Sequence, residues 1–328
     1  MSHFPTVRMR RTRAHDWSRR LVRETRPAID DLIWTLVITD SKTELTPVDS
    51  LPGVSRLNLD ALMKASKEAE ALGIPAIALF PHIEPKHKDA QATESLNEKG
   101  LVPEAVRAVK AACPNLGVIV DVALDPYTDH GHDGVLVGDI IENDPTLSIL
   151  AESAVILAKS GADIVAPSDM MDGRVGAIRD ALDEAKFGET MIMSYAAKYA
   201  SGFYGPYRDA IGTKSALRGD KRTYQMDPAN RMEAIREVEL DVNEGADMIM
   251  VKPGLPYLDI IRDLKNTFAM PTFAFQVSGE YAMIKAAGAN GSIDEKSVMM
   301  ESFTSFRRAG CDGVLTYFAR DIARILQN

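Results

Sequence analysis

The chain reads as an α/β protein of the (β/α)8, or TIM-barrel, class with an extended N-terminal arm, on three observations. A similar segment recurs four times, as ALGIPAIALF (71–80), KSGADIVAPSD (159–169), NEGADMIMVKP (243–253) and RAGCDGVLTYF (308–318). Each joins a helix-ending glycine, a short link and a run of strand-forming apolar residues, and glycine just past a helix is the expected stop. Four further apolar runs make eight candidate strands: LIWTLVITD (32–40), LGVIVDVAL (116–124), TMIMSYAAK (190–198) and PTFAFQVSG (271–279). The third observation is negative: no GxGxxG follows the first strand, which counts against a doubly wound open sheet.

In chain order, residues 1–30 come first as an arm, carrying Arg8, Arg10, Arg11, Arg13, Arg19, Arg20, Arg23 and Arg26. A basic arm can bind polyanions, but this one lacks the interleaved aromatics of single-strand binders, and the chain as a whole carries a net charge of −9. Packing against a neighbouring subunit is the expected use. Residues 31–328 then alternate the strands with amphipathic helices. NLDALMKASKEAEAL (58–72) places Leu59, Leu62, Met63, Ala69 and Leu72 close to a 3.6-residue period. VPEAVRAVKAAC, DPTLSILAESAVILAKS, GAIRDALDEAKF, NRMEAIREVELDVNE, PYLDIIRDLKNTF and EKSVMMESFTSFRRA behave likewise. Short buried strands alternating with such helices imply parallel pairing through right-handed crossovers.

Composition agrees. A chain of 328 residues, 45% hydrophobic and 26% charged, can build one large core. No stretch approaches the roughly 20 apolar residues of a membrane span, and the first residues lack the apolar core of a secretory signal. Cys113 and Cys311 are the only cysteines, with no CxxC spacing, so neither a disulfide framework nor a thiolate zinc site is expected. A cytoplasmic location follows as the expectation.

Active sites of these barrels lie at the C-terminal ends of the strands. Asp121, Ser168, Asp169, Lys198, Lys252, Ser278 and Tyr317 fall there. Lys252 closes an apolar run, where lysine is almost never buried unless paired or used. In water its pKa is about 10.4 and it is no nucleophile. Burial and a nearby cation each lower that value, by up to about 3–5 units in the deepest sites. Lys198 and Lys252 on adjacent strands would supply both effects, and a free amine forms a Schiff base with a ketone or aldehyde. The competing reading is a pair of lysines snorkelling to carboxylate partners at the rim.

Five segments, SYAAKYASGFYGPYRDA (194–210), TYQMDPANR (223–231), MVKPG (250–254), FQVSGEYAMI (275–284) and LTYFA (315–319), resemble the 5-aminolevulinate dehydratases, or porphobilinogen synthases. The resemblance runs in order over essentially the whole chain. It implies condensation of two 5-aminolevulinate molecules to porphobilinogen with loss of two waters, an early step of tetrapyrrole synthesis. By the same resemblance Lys252 forms the Schiff base with the propionate-side substrate and Lys198 with the acetate-side one. Ser278 and Tyr317 would bind the first substrate's carboxylate, Arg208 and Lys221 the second's, with Gln225 close by. Some relatives have arginine where Lys221 stands, so Arg222 is an alternative contact. The segment GTKSALRGDKRTYQ (212–225) reads as a lid or as a solvated loop.

The stretch DVALDPYTDHGHDG (121–134) departs from the zinc-using relatives, which carry cysteines at the positions of Ala123, Asp125 and Asp133. Carboxylate and water suit magnesium, whereas thiolates select zinc. The resemblance is therefore to a magnesium-type branch without a tight catalytic zinc. Asp125 and Asp133 would either hold a metal or order the lid and neutralise substrate ammonium; His130 and His132 are further possible ligands. Glu237 matches the allosteric magnesium site of the family, with Asp169 near one of the ion's waters. Such enzymes are usually homo-octamers in which the arm wraps a partner barrel. The rivals are a class I aldolase, which needs one lysine, and a non-catalytic anion-binding protein using the arm.

Overall fold

The structure, a computed structural model, describes residues 3–213, 216–217 and 219–327. Met1 and Ser2 of the arm, Lys214, Ser215 and Arg218 of the expected lid, and Asn328 lie outside the described residues.

All eight apolar runs form strands: β1 (Leu32–Thr39), β2 (Ala76–His82), β3 (Gly117–Val122), β4 (Ile164–Pro167), β5 (Met191–Lys198), β6 (Met248–Lys252), β7 (Thr272–Gln276) and β8 (Gly313–Thr316). Neighbours pair in parallel in sequence order, and β8 returns to β1 through Leu32↔Val314 and Trp34↔Thr316. That last pairing closes the sheet and excludes the open alternative. Every position of β1 is buried, because a barrel strand faces packed side chains inside and helices outside.

The longer helices are α1 (Leu59–Ala71), α2 (Leu101–Ala112), α3 (Asn143–Lys159), α4 (Arg174–Glu184), α5 (Met232–Asn243), α6 (Leu258–Phe268), α7 (Ser278–Ala289), α8 (Glu295–Ala309) and α9 (Ala319–Gln327). Their ends follow local chemistry. Asn58 caps α1 by accepting from the Ala61 amide, and Asp294 caps α8 through Ser297. Gly310 stops α8 at φ +118°, a conformation that a side chain would strain.

Two features depart from the expectation. The seventh strand ends at Gln276, and Ser278 is instead the first residue of α7. Two short antiparallel hairpins also appear, Leu45–Pro47 with Ser55–Leu57 and Val135–Val137 with Ile140–Glu142. Three-residue, mostly half-exposed strands leave too little alternation to be read from sequence.

The arm contains a short helix, Asp16–Leu21, and leaves Phe4, Met9, Trp17 and Leu21 between 61% and 71% exposed. Arg8 lies over the Phe4 ring and His15 stacks against Trp17, yet these side chains stay largely exposed among the described residues. Among the described residues no helix is long and apolar enough to cross a membrane.

Candidate active site

Lys198 and Lys252 end β5 and β6 and lie opposite each other in the register of that pair. Both are buried, at 5% and 4% exposure. With Asp125, Ser168, Arg208 and Gln225 they line one cavity at the barrel mouth, joined by Lys221 from the lid. Its free volume is about 20 Å³, room for about one water.

The two amines sit in unlike surroundings. Lys252 Nζ is boxed by aromatic rings, at 4.7 Å from the Phe275 centroid, 4.9 Å from Tyr195, 5.0 Å from Tyr207 and 5.6 Å from Tyr204. Ring faces favour a cation by about 1 kcal/mol each, yet burial wins: it pushes Lys252 down to about 7, helped by the charge of Lys198 and opposed by Asp121, Asp125 and Asp133. Burial holds the hydroxyls of Tyr195, Tyr204 and Tyr207 well above their ordinary value, so all three stay neutral.

Lys198 instead donates to the Ser168 carbonyl oxygen and faces Asp133 Oδ1 at 3.7 Å. Asp121 feels the charge of both amines, and its Oδ1 is buried without a hydrogen-bond partner among the described residues. Burial raises Asp121 to about 6 against the pull of Lys252 and Lys198. Near neutral pH this pocket therefore holds a partly deprotonated amine beside a carboxyl close to its titration point.

The lid lies shut. Lys221 Nζ bridges Asp125 Oδ2 at 3.0 Å and Asp133 Oδ2 at 2.7 Å, and the Tyr224 hydroxyl donates to Asp133 Oδ2 at 3.1 Å. Burial alone would raise Asp133, but Lys198 and Lys221 outweigh it and hold the carboxyl at about 2. The Met226 amide donates to the Lys198 carbonyl at 3.1 Å, fastening the lid's end to β5. A Cβ at Gly131 would press on the Leu217 backbone, so the lid and the 121–134 loop meet without room between them.

Lys198, Lys252, Arg208, Lys221, Gln225 and Asp125 thus meet in one cavity, whereas Tyr317 lines a separate one with Trp34 and Tyr281. Lys221 reaches the cavity but is spent on Asp125 and Asp133. Those two carboxylates do not fit a metal in this geometry, since Lys221 already occupies the space between them. Among the described residues no cluster of three or more histidines, cysteines or carboxylates is arranged for metal binding. His132 Nδ1 lies 3.0 Å from the Tyr224 hydroxyl, and His130 Nε2 lies 3.4 Å from the Ala90 carbonyl. Arg222 is exposed and faces Asp220 at 3.8 Å, away from the role of a second anchor. Arg208 is half-buried on the cavity wall. Ser278 Oγ accepts from the Tyr207 amide at 2.8 Å, and the Tyr317 hydroxyl is buried with no partner among the described residues.

Behind the mouth lies a second polar cluster. Arg174 forks onto Asp241 at 2.7 and 2.8 Å, and Ser194 donates to the same carboxylate at 2.5 Å. Asp169 is raised to about 7 by burial and keeps Oδ2 unpartnered, 4.0 Å from Arg174 Nε. Glu237 is half-buried nearby, pushed up by burial and then by Asp241, Asp172 and Glu233, with Arg174 opposing. Glu237 offers an oxygen ligand of the kind taken by a magnesium ion that keeps most of its waters, while Arg174 already occupies Asp241.

Sequence reasoning missed the aromatic box and the Lys221 bridge. Tyr195, Tyr204 and Tyr207 all lie within the quoted 194–210 segment, so their clustering with Lys198 was the available signal. The bridge joins residues 88 and 96 positions apart and left no local trace.

A closed parallel barrel with a desolvated amine and a second lysine at its C-terminal mouth is the architecture of enzymes that capture carbonyl compounds. Comparison narrows the class. The family model described as delta-aminolevulinic acid dehydratase matches residues 6–325. A delta-aminolevulinic acid dehydratase of Bradyrhizobium diazoefficiens is 56% identical over 98% of this chain and 91% of its own length. That of Synechocystis sp. is 52% identical over 99% of this chain and 100% of its own. The crystal structure of the Toxoplasma gondii enzyme in complex with its product porphobilinogen superposes with a TM-score of 0.95 at 47% identity, covering 97% and 91% of the two chains. The chain belongs to the delta-aminolevulinic acid dehydratase family.

Proposed function

We propose that this protein condenses two molecules of 5-aminolevulinate to porphobilinogen through imines on Lys252 and Lys198, an early step of tetrapyrrole synthesis. The observation that carries the mechanism is the pairing of the two amines at adjacent strand ends, with Lys252 held near neutrality by burial. The free amine of Lys252 adds to the substrate's C4 ketone, and loss of water gives the imine. Lys198 does the same to the second substrate once the lid and Asp133 release it. C3 of the Lys198-bound imine loses a proton, and the resulting enamine attacks the imine carbon on Lys252, from which the lysine amine departs. Asp121, whose carboxyl interacts with the charge of both amines, can carry such protons. The amino group of the Lys252-side substrate then attacks the imine carbon on Lys198, and departure of that lysine closes the ring, the two waters having left as the imines formed.

Tyr317, whose buried hydroxyl lacks a partner, and Ser278 are suited to one substrate carboxylate. Arg208 and Lys221 are suited to the other, with Gln225 between them and the lysines. A substrate carboxylate entering there competes with Asp125 and Asp133 for Lys221, and those aspartates are then free for the substrate ammonium. Two substrates do not fit while the lid is down, so turnover requires the bridge to open.

The same reading assigns the protein to the magnesium-type branch, supported by Ala123, Asp125 and Asp133 offering no thiol. Glu237 would hold the ion by its carboxylate, with Asp169 near one of its waters. Bound there, magnesium would supply fixed positive charge that neutralises the carboxylate-rich corner behind the mouth. Residues 1–30 are read as an arm that wraps a partner subunit in a cytoplasmic homo-octamer, which the exposed Phe4, Met9, Trp17 and Leu21 side chains support, with residues 31–328 as the catalytic barrel. Incubation with 5-aminolevulinate, reduction with borohydride and peptide mapping tests the chemistry. A stable mass addition at Lys252 is expected; modification elsewhere, or none, removes the proposal.

A further inference from the structure

Glu280 is fully buried, at 0% exposure, and no lysine or arginine among the described residues offsets that burial. Its partners are three backbone amides. Oε2 accepts from Val277 N at 2.7 Å and Gly254 N at 3.1 Å, and Oε1 accepts from Leu255 N at 2.6 Å. As the third residue of α7, a carboxylate facing Val277 N is an ordinary helix cap. A cap does not explain the other two amides, which belong to the turn that follows Lys252 on a different strand.

The connection has a chemical consequence. Gly254 and Leu255 come two and three residues after Lys252, and Val277 comes one before Ser278. One carboxylate therefore ties the turn behind the nucleophilic amine to the residue before a proposed substrate anchor. The packing around the tie is tight: a Cβ at Gly254 would overlap the Phe306 ring, and one at Gly279 would overlap the Phe203 backbone. Ser278 Oγ in turn accepts from the Tyr207 amide, and the Tyr207 ring stands 5.0 Å from Lys252 Nζ. Amine, aromatic wall and anchor thus share a single clamp.

We infer that Glu280 is a positioning residue for Lys252, holding the amine at a fixed separation from Ser278 by clamping both backbones. This rests on the reading of Lys252 as the imine-forming residue and of Ser278 as an anchor. A glutamine at 280 keeps one acceptor but turns an NH2 group toward at least one of the amides. Misplacement of a reacting group by about 1 Å costs on the order of 100-fold in rate.

The experiment compares borohydride-trapped adducts of 5-aminolevulinate at Lys252 and Lys198 in the full-length enzyme and in Glu280→Gln. The Lys252-to-Lys198 adduct ratio is expected to fall at least about tenfold, with kcat reduced more than KM is raised. An unchanged ratio, even with a lowered Tm, reduces Glu280 to a helix cap and overturns the inference. Absence of a Lys252 adduct in the wild type overturns the underlying mechanism instead. Should the variant fail to fold, hydrogen exchange on the wild-type enzyme decides. Strong protection of the Gly254 and Leu255 amides supports the clamp, and exchange at the rate of exposed amides refutes it.

Discussion

The mouth of this barrel has two halves, and they treat the same side chain differently. On the β6 side, Lys252 meets four aromatic rings, and its amine comes down to about 7. On the β5 side, Lys198 meets a peptide carbonyl and, at 3.7 Å, Asp133. The two residues are register partners on neighbouring strands, so neither depth nor distance from the rim separates them. Only what surrounds each does. Burial among the rings lowers the Lys252 amine, whereas a peptide carbonyl and a carboxylate hold Lys198 in place. The comparison assigns the halves an order: Lys252 is ready to attack, and Lys198 must first be released.

The most severe test removes the prepared amine. Lys252→Met should lower kcat by about four orders of magnitude or more, as loss of a covalent nucleophile does elsewhere. The same variant should be more stable than the wild type. The wild-type amine has a folded value of about 7 against an ordinary 10.5, so between those values the unfolded chain binds more protons. Wild-type stability then rises with pH across that window, and below it a cost on the order of a few kcal/mol remains. Denaturant melts at pH 7 and 9 should show Lys252→Met gaining most at the lower pH. A Met variant no more stable than the wild type would erase the contrast between the halves.

Opening the other half comes next. Lys221→Ala strands Asp125 and Asp133 as buried charges, and breaking such a pair costs about 3–5 kcal/mol. Much of that cost should appear locally, as faster proteolysis of the lid, together with a raised KM. A lid as resistant as in the wild type would show that the bridge does not hold it.

Two finer measurements follow. At limiting 5-aminolevulinate, reduction should trap Lys252 before Lys198, and the rate at Lys252 should climb about tenfold per pH unit below 7 and level off above it. Trapping at Lys198 first would reverse the proposed order. The smallest change is expected from Glu237→Ala, outside the mouth: basal turnover persists, and its response to added magnesium disappears. A full response in that variant would remove Glu237 from the metal site.

Much of this was legible beforehand because barrel folding repeats a local rule. Eight apolar runs alternating with amphipathic helices, four of them behind a helix-ending glycine, announce eight βα units, and the strand ends deliver Asp121, Lys198 and Lys252 to one mouth. Ser278 begins α7 instead of ending β7, because VSG continues the apolar run of the strand and conceals the start of the helix. The pairing of Lys221 with Asp125 and Asp133 was hidden for a different reason. Each partner has several plausible uses, and the choice depends on where a lid comes to rest.

The sequence alone carried the periodicity, the strand ends and the two lysines, because alternation of buried strands and amphipathic helices is encoded within a few neighbouring residues. The tertiary structure decided which lysine is desolvated by aromatics and which faces a carboxylate, that Lys221 spans two aspartates, and that Glu280 reaches across to the turn behind Lys252. These outcomes depend on distances between segments far apart in the chain, and charge and burial act through those distances.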